Sequence, residues 1–159
     1  MHFSNILSSA LLLPALASLA LAETVSLYAY GTGVSGLAVH YTDGNATVSS
    51  ATDGIVSFTK DNGRLVGTGD YSDVLFYVPG SGATSQAVGF TTEQTSTTER
   101  VVDGFVWYGA TLLFQNDAGE LISQFYVKES GTAGEYDLVW GVSGSEYISV
   151  GLRSVAPSS

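Results

Sequence analysis

The chain has no cysteine, which excludes disulfides, thiol catalysis, thiolate metal sites and cysteine-attached haem. Only 3 of its 159 residues are proline, and only 5 are lysine or arginine. It contains no helical stripe of useful length. Behind an N-terminal leader, no apolar run is long enough to span a bilayer, so no membrane span is expected. We therefore expect a fold held together by packing and hydrogen bonds alone.

Basic residues are outnumbered 5 to 15 by acidic ones, and the formal net charge is −10. A nucleic-acid-binding protein needs a cluster of basic side chains facing the phosphates, and this chain has no such cluster. Attraction to anionic lipids is disfavoured for the same reason. The charge balance therefore predicts no nucleic-acid partner and no membrane-surface partner.

The one long apolar run lies at the N-terminus. Residues 1–22, MHFSNILSSALLLPALASLALA, have a polar start, an apolar stretch and a small-x-small ending at Ala22. This pattern predicts a signal peptide that is cleaved after Ala22, and the polar Glu23 argues against a membrane anchor. The mature chain, residues 23–159, is then a single β-rich domain that is secreted or held in a cell wall.

Short alternating runs, rich in Val, Ile, Thr and aromatic residues, follow one another along the mature chain. Turn signals such as Asp43-Gly44 separate them. The pattern predicts an all-β, single-domain antiparallel β-sandwich or β-barrel of about ten short strands. The polar stretch TTEQTSTTER is expected to form a surface loop. The predicted strands are residues 24–30, 37–41, 54–59, 64–67, 74–78, 86–91, 101–107, 110–115, 121–128, 135–140 and 147–153.

Three segments resemble one another: AVHYTDGNATV, IVSFTKDNGRLVG and TLLFQNDAGELIS. Each runs through an Asp/Asn-Gly turn and back into a strand. One interpretation is an internal repeat of a lectin-like barrel or propeller. The other is that tight hairpins simply require residues that accept positive φ. The unequal spacing of the three turns favours the second interpretation.

Residues 31–36, GTGVSG, match the G-x-G-x-x-G pattern of dinucleotide-binding sites. In such a site the third glycine opens a helix. Here Gly36 is followed by LAVHYTDG, which reads as a strand and a hairpin. We therefore predict no nucleotide cofactor, and a mobile or bulged connection between two strands.

Residues that could carry catalysis are few. His40 is the single histidine of the mature chain, and without a G-x-S-x-G elbow a serine hydrolase is disfavoured. A zinc site would need more nitrogen or sulfur ligands, so no metal and no cofactor are predicted. Glu129 and Glu135 flank the SGTAG loop and could face one another as the carboxylate pair of a glycosidase. They are the candidate catalytic residues.

Aromatic residues are a more suggestive feature, with 9 tyrosines and 2 tryptophans. Tyr108, Trp140 and Tyr147 are the predicted ligand-binding residues, because such rings stack on sugars and on protein partners. Trp107 and Tyr108 are adjacent in a strand, so a core Trp107 places Tyr108 on the surface. The alternative is that the aromatic residues build a β core.

Asn45, Ala46 and Thr47 form an N-glycosylation sequon beside a predicted turn. In a secreted eukaryotic protein this pattern predicts a glycan on Asn45.

The leader ending in ALASLALA, the mature start ETVSLYAYGTGVSGLAVHYTDGNA and the glycine- and tyrosine-rich body resemble the small cysteine-free secreted proteins of filamentous fungi. The resemblance implies secretion and a β-fold and transfers no catalytic residue. We expect a non-enzymatic extracellular protein at the cell surface, wall or host interface. It would bind a glycan or an extracellular protein through aromatic-bearing loops. A small secreted glycoside hydrolase with paired carboxylates and a structural wall or spore-coat component are the alternatives.

Overall fold

A computed structural model of the chain describes residues 22–159. The predicted signal peptide lies outside the described residues, except for Ala22, which is exposed. Residues 22–159 contain fifteen β-strands and one turn of 3-10 helix, Gly69–Tyr71, and no α-helix. Every ladder in the main sheet is antiparallel. The predicted all-β antiparallel class is therefore confirmed.

Three of the eleven predicted runs are interrupted, at Leu27, at residues 102–104 and at residues 123–124, and the strand Asn45–Ser49 is not among the predicted ones. Residues 22–159 therefore form fifteen strands where the sequence indicated eleven runs. In chain order they are β1 (Thr24–Ser26), β2 (Tyr28–Gly31), β3 (Val34–Thr42), β4 (Asn45–Ser49), β5 (Ser57–Asp61), β6 (Arg64–Gly67), β7 (Leu75–Pro79), β8 (Gly89–Thr91), β9 (Arg100–Val101), β10 (Phe105–Tyr108), β11 (Thr111–Gln115), β12 (Leu121–Ile122), β13 (Phe125–Glu129), β14 (Glu135–Trp140) and β15 (Ile148–Arg153).

Six strands close into a barrel in the order β2, β3, β4, β14, β13 and β15, with β15 pairing back onto β2. The closing ladder places Arg153 opposite Tyr28. Beyond β4 the sheet continues through β8, β7, β6, β5 and β1, and beyond β15 it continues through β11 and β10. Closure gives each of the six barrel strands a neighbour on both sides, and the rest of the sheet ends at β1 and β10.

The interior of the barrel is apolar because alternate residues of each strand point inward. Val39 lies opposite Val48, and Val127 lies opposite Leu138, and all four are fully buried. Around Phe76 the core continues beyond the barrel. The ring centroid of Phe76 lies 5.5–6.3 Å from those of Phe58, Phe90, Phe105 and Phe125. Burying a phenylalanine contributes about 1.5–3 kcal/mol. Packing of this kind stabilises a chain that has no disulfides.

The glycine motif at residues 31–36 forms a turn and a bulge. The register between β2 and β3 shifts there, which leaves Gly36 unpaired between Ser35 and Leu37 at φ +72°. A Cβ on Gly36 would also lie only 2.7 Å from the Cβ of Pro157. Because β3 runs through Gly36 and no helix follows, the arrangement of a dinucleotide-binding site is excluded, and the bulged connection is confirmed.

Two of the three similar hairpins share one turn geometry. Asp43 and Gly44 join β3 to β4, and Asn62 and Gly63 join β5 to β6, all with φ between 46° and 85°. Positive φ at both central residues defines the type I′ turn, whose twist suits a two-residue hairpin. The third hairpin, from β11 to β12, has the longer loop 116–120. The likeness of the segments therefore reflects turn chemistry and not a structural repeat.

Candidate functional site

The outer surface of β2 carries two tyrosines. Side chains of a strand alternate between its two faces, and Ala29 points into the core, where it is fully buried. Tyr28 and Tyr30 therefore point outward, and both rings are half-buried. The Tyr30 hydroxyl donates a hydrogen bond of 2.8 Å to the carbonyl oxygen of Val155, which fixes the position of this ring.

Tyr108 reaches the same surface from β10. Residues directly opposite one another across a ladder share a face. Tyr108 is opposite Thr111, Thr111 is opposite Arg153, and Arg153 is opposite Tyr28. This row of partners crosses β10, β11, β15 and β2, so Tyr108 and Tyr28 lie on one side of the sheet, three strand spacings or roughly 14 Å apart.

A fourth tyrosine belongs to β13. Tyr126 is opposite Ser149, and Ser149 lies on the outer side of β15 because its neighbour Val150 is buried. We call the surface formed by these four residues the tyrosine face: Tyr28, Tyr30, Tyr108 and Tyr126.

Gly151 forms the centre of the tyrosine face, and it lies opposite Tyr30. A Cβ added to Gly151 would meet no atom within 4 Å, so the space above this part of β15 is open. Tyr30 and Tyr126 belong to the strands on either side of β15. These strands are two strand spacings or about 10 Å apart, and Tyr126 is offset by two residues along β15 because it lies opposite Ser149. The result is a shallow, open surface with aromatic side chains along its borders.

Tyr108 is the most exposed tyrosine of this surface, with 76% of its side chain accessible. Its neighbour Trp107 points the other way and packs partly against the core. The ammonium of Lys60 lies 4.2 Å from the centroid of the Trp107 ring and covers it from outside. The predicted alternation at this pair, with Tyr108 outward, is confirmed.

Tyr147 lies in a groove of about 480 Å³ that borders the tyrosine face beside Tyr126, whose ladder partner Val139 lines the groove. Lys128 and Asp137, opposite each other in the β13–β14 ladder, line this groove, and the Lys128 ammonium is 5.9 Å from the Tyr147 ring centroid. Gln86 and Asn45 also line it. We call it the Tyr147 groove, and it combines an aromatic ring with charged and amide groups.

Trp140 takes no part in either surface. Its side chain is 8% exposed, and its ring packs edge-on against Phe125 and Phe114, with centroid distances of 4.8 and 5.5 Å. It shares the inner face of β14 with Leu138. Contrary to the sequence prediction, the Trp140 ring belongs to the core and has no face free for a ligand.

Glu129 and Glu135 do not form the facing pair that the sequence suggested. Glu129 is opposite Tyr136 in the β13–β14 ladder, so these two share a face, and Glu135, one residue earlier, points to the other face. The Glu135 carboxylate accepts a hydrogen bond of 3.4 Å from Ser130. Both acids border the concavity of their own loop, about 430 Å³, but from opposite faces of the hairpin. A glycosidase requires its two carboxylates on either side of one bound sugar.

His40 is not placed as a catalytic base. It is 4% exposed, and each of its ring nitrogens lies beside a backbone carbonyl oxygen: Nδ1 is 2.8 Å from that of Asp53, and Nε2 is 3.3 Å from that of Ser49. Because the ring is buried between these two carbonyl oxygens, His40 holds the segment after β4 against the outside of β3. Its role in this arrangement is structural.

A larger polar concavity, about 600 Å³, lies beside the loop between β8 and β9. This loop, residues 92–99, is exposed and has no helix, as predicted. Ser96 donates a hydrogen bond to the Asp103 carboxylate, so that acid is engaged within the loop. Within residues 22–159, no group of three or more His, Asp or Glu side chains could hold a metal ion.

The five basic side chains are dispersed singly, and each has a partner. Arg64 pairs with Asp61, and the other four lie over aromatic rings at 4.2–5.9 Å from the centroid. Hydrogen bonding to Tyr77 is the main cause that raises the pKa of Arg100, and the Glu93 carboxylate, 3.4 Å from the guanidinium, raises it further. The basic side chains therefore interact singly with their neighbours, four of them with an aromatic ring, and do not form a basic patch.

Sequence reasoning identified Tyr108 as a surface residue and counted Tyr28 and Tyr30 among the aromatic residues that could stack on a ligand, but it did not choose these two as site residues. The signal was present, because two tyrosines separated by one residue in a strand must share a face. Gly151 and Arg153 could not be found in this way. Their place beside Tyr28 and Tyr30 depends on a ladder between β2 and β15, which lie at opposite ends of the described chain.

No protein family model matches the chain, and comparison with curated proteins and with solved structures gave no match. In residues 22–159, no helix has the length and apolar character needed to cross a membrane.

Proposed function

We propose that the protein is a secreted, non-enzymatic extracellular protein that binds a neutral polysaccharide across the tyrosine face. The observation that carries the proposal is the placement of four tyrosines around the open surface at Gly151. A tyrosine ring presents an apolar face to the C–H groups of a sugar ring, and its hydroxyl can bond to the sugar hydroxyls. Side chains of this kind, spread over the outer surface of neighbouring strands, suit an extended chain of sugars.

The surroundings of the tyrosines favour a neutral ligand. The formal net charge of −10 repels polyanions such as acidic polysaccharides. Arg153 lies over the Tyr30 ring, and Thr111 and Ser149 stand on the same outer face, where they can donate hydrogen bonds to sugar hydroxyls. The ligand class that fits is therefore an uncharged, hydroxyl-rich polymer.

A binding role is favoured over the alternative of a glycoside hydrolase. The tyrosine face is shallow, whereas hydrolysis needs a cleft with two acids across the scissile bond. Glu129 and Glu135 point to opposite faces of their hairpin, which removes the pair suggested by the sequence.

The location is part of the proposal. The leader at residues 1–22 has the pattern of a signal peptide, and the chain resembles small cysteine-free secreted proteins of filamentous fungi. A protein exported in this way and equipped to bind a neutral polysaccharide would be retained at the cell surface or in the wall.

The test is retention of the mature chain, residues 23–159, on insoluble polysaccharides such as cellulose, chitin and β-1,3-glucan. The protein is produced in bacteria, without glycosylation, and the unbound fraction is measured after sedimentation. We expect retention on at least one of the polymers, and at least a tenfold weaker affinity for the double variant Tyr108→Ala/Tyr126→Ala. The matched control is Tyr147→Ala, which removes a half-buried tyrosine outside the tyrosine face and should bind like the wild type.

Two results would contradict the proposal. The first is equal retention of the double variant and the wild type, which would place binding elsewhere. The second is the release of new reducing ends from the polymer by the wild type, which would identify a hydrolase.

A further inference from the structure

The Tyr147 groove has a glycosylation sequon at its rim. Asn45 lines the groove together with Lys128, Asp137 and Tyr147, and it begins the sequon Asn45-Ala46-Thr47. We propose that Asn45 carries an N-linked glycan and that the first few sugars of this glycan lie in the Tyr147 groove and contact the tyrosine ring. This inference concerns a modification and a groove that borders the tyrosine face but is lined by none of its four tyrosines.

The sequon is placed where modification is possible. Asn45 is exposed and follows directly on the type I′ turn at Asp43 and Gly44. In this modification the Asn45 amide nitrogen bonds to the anomeric carbon of N-acetylglucosamine carried on a polyprenyl pyrophosphate. The bond from that carbon to the pyrophosphate oxygen breaks, the oxygen keeps the electron pair, and the amide loses a proton.

The timing of the modification follows from the burial of Thr47. This residue is 3% exposed, and its hydroxyl lies 2.9 Å from that of Thr42 within the β3–β4 hairpin. A glycosyltransferase must reach the hydroxyl of the sequon, so transfer has to precede the pairing of β4 with β3. Asn45 itself remains on the surface afterwards and leaves room for the attached sugars.

The groove offers the groups that an N-acetylglucosamine-based chain requires. Tyr147 supplies an aromatic surface, Lys128 supplies a donor, Asp137 supplies an acceptor and the Gln86 amide supplies both. Lys128 and Asp137 form no ion pair with each other or with another residue among residues 22–159, so both remain available to sugar hydroxyls and acetamido groups.

The distance across the groove sets the length of glycan required. Tyr147 directly precedes β15, and the register runs from there through Lys128 and Asp137 to Thr47 on β4. These are three strand spacings, with Asn45 two residues further along, so Asn45 and Tyr147 are about 15 Å apart. Such a separation exceeds the reach of one sugar and suits a short oligosaccharide.

A glycan in this position would cross a junction of the sheet. β4 pairs with residues 135–137, the first half of β14, and residues 86–88 pair with the second half of β14. In that second pairing the backbone amide of Trp140 donates a hydrogen bond of 2.9 Å to the carbonyl oxygen of Gln86. The bound sugars would link the start of β4, the 86–88 segment and the residue before β15. We therefore expect the glycan to stabilise the fold through Tyr147.

The experiment is a thermal double-mutant cycle on protein secreted from a yeast host. Intact mass and peptide mapping first establish whether Asn45 carries a glycan. Melting temperatures are then compared for the wild type, Asn45→Gln, Tyr147→Ala and the double variant. We expect Asn45→Gln to lower the melting temperature by about 2–5 °C more in the wild-type background than in the Tyr147→Ala background.

Two controls isolate the contact. Thr47→Ser keeps both the sequon and a hydroxyl opposite Thr42, and should retain the glycan. Tyr108→Ala removes a tyrosine far from the groove, and its effect should add to that of Asn45→Gln without coupling. In the wild type, nuclear Overhauser contacts between the Tyr147 ring protons and sugar protons give a second reading that does not depend on stability.

Three outcomes overturn the inference: an unmodified Asn45 in the secreted protein, additive melting temperatures in the cycle, or the absence of contacts between the Tyr147 ring and the sugars. None of them bears on polysaccharide binding, which is measured on unglycosylated protein with Tyr147→Ala as its control. The two proposals can therefore fail separately.

Discussion

The guanidinium carbon of Arg153 lies 5.5 Å from the centroid of the Tyr30 ring, across the ladder that joins β15 to β2. This ladder closes the barrel, so the contact forms only when the two ends of the described chain have met. The tyrosine face therefore depends on barrel closure. A variant that opens this ladder should lose binding together with tertiary structure, which is why tests of binding must use residues that the core does not need.

Tyr108 is a residue of the tyrosine face that the core does not need. Since 76% of its side chain is exposed, Tyr108→Ala should change the free energy of unfolding by less than about 0.5 kcal/mol. Loss of one stacking ring should weaken polysaccharide affinity about 2- to 10-fold. Urea unfolding and depletion isotherms measure the two quantities. An unchanged affinity would remove Tyr108 from the proposed site.

The bulge at Gly36 offers a test of the fold. Its φ of +72° disfavours any side chain, and a Cβ would collide with the ring of Pro157. We expect Gly36→Ala to lower the free energy of unfolding by about 2–4 kcal/mol, of which about 1–2 kcal/mol arises from the left-handed conformation alone.

Gly33 is the matched control for this test, since its φ is +76° but a Cβ there would meet no atom within 4 Å. Gly33→Ala should therefore show only the conformational cost. Adding Pro157→Ala should recover part of the loss in Gly36→Ala and none in Gly33→Ala, as measured by urea unfolding. Equal losses in both glycine variants would mean that the Pro157 contact has no energetic role.

Local sequence patterns predicted much of the fold because they report on neighbouring residues. The strand 64–67 and the strand 135–140 begin and end where the alternation indicated. The Asp43-Gly44 turn likewise follows from which residues accept positive φ. Closure of the barrel could not be predicted, because the partners Tyr28 and Arg153 are far apart in the sequence and no local pattern encodes their register.

In the candidate site, too, local patterns predicted some features, whereas those that depend on long-range packing could not be predicted. Alternation correctly placed Tyr108 outward, since this needs only its neighbour Trp107. Alternation also puts Trp140 on the face of Tyr136 and Leu138, opposite Glu135 and Asp137, but it does not show whether the ring at the end of β14 is covered, which depends on the packing of Phe114 and Phe125. Proximity along the chain suggested that Glu129 and Glu135 face each other, whereas the hairpin register sends them to opposite faces.

The structural role of His40 can be measured directly. His40→Ala removes a buried ring that lies 2.8 Å from the carbonyl oxygen of Asp53 and 3.3 Å from that of Ser49, and that as a neutral imidazole donates a hydrogen bond to one of them, so we expect the free energy of unfolding to fall by about 1–3 kcal/mol. Asp53→Asn should have no comparable effect, because only the backbone carbonyl of this residue is used. The midpoint of urea unfolding, at an unchanged slope, gives both values. Equal midpoints for the wild type and His40→Ala would contradict the assignment.

Gly151 is a position at which a substitution should change the stability of the fold and the affinity for polysaccharide in opposite directions. Its Cβ position is open and its φ is not positive, so Gly151→Val should fit in β15 and raise the free energy of unfolding by about 0.5–1 kcal/mol, since glycine weakens a strand interior. The same side chain would fill the space between Tyr30 and Tyr126 and should lower polysaccharide affinity at least tenfold. Gly31→Ala, on the neighbouring strand, is the contrasting variant because its Cβ would collide with the carbonyl oxygen of Ser149, and it should destabilise the fold. A Gly151→Val protein that is stable and still binds like the wild type would show that the ligand does not occupy the tyrosine face.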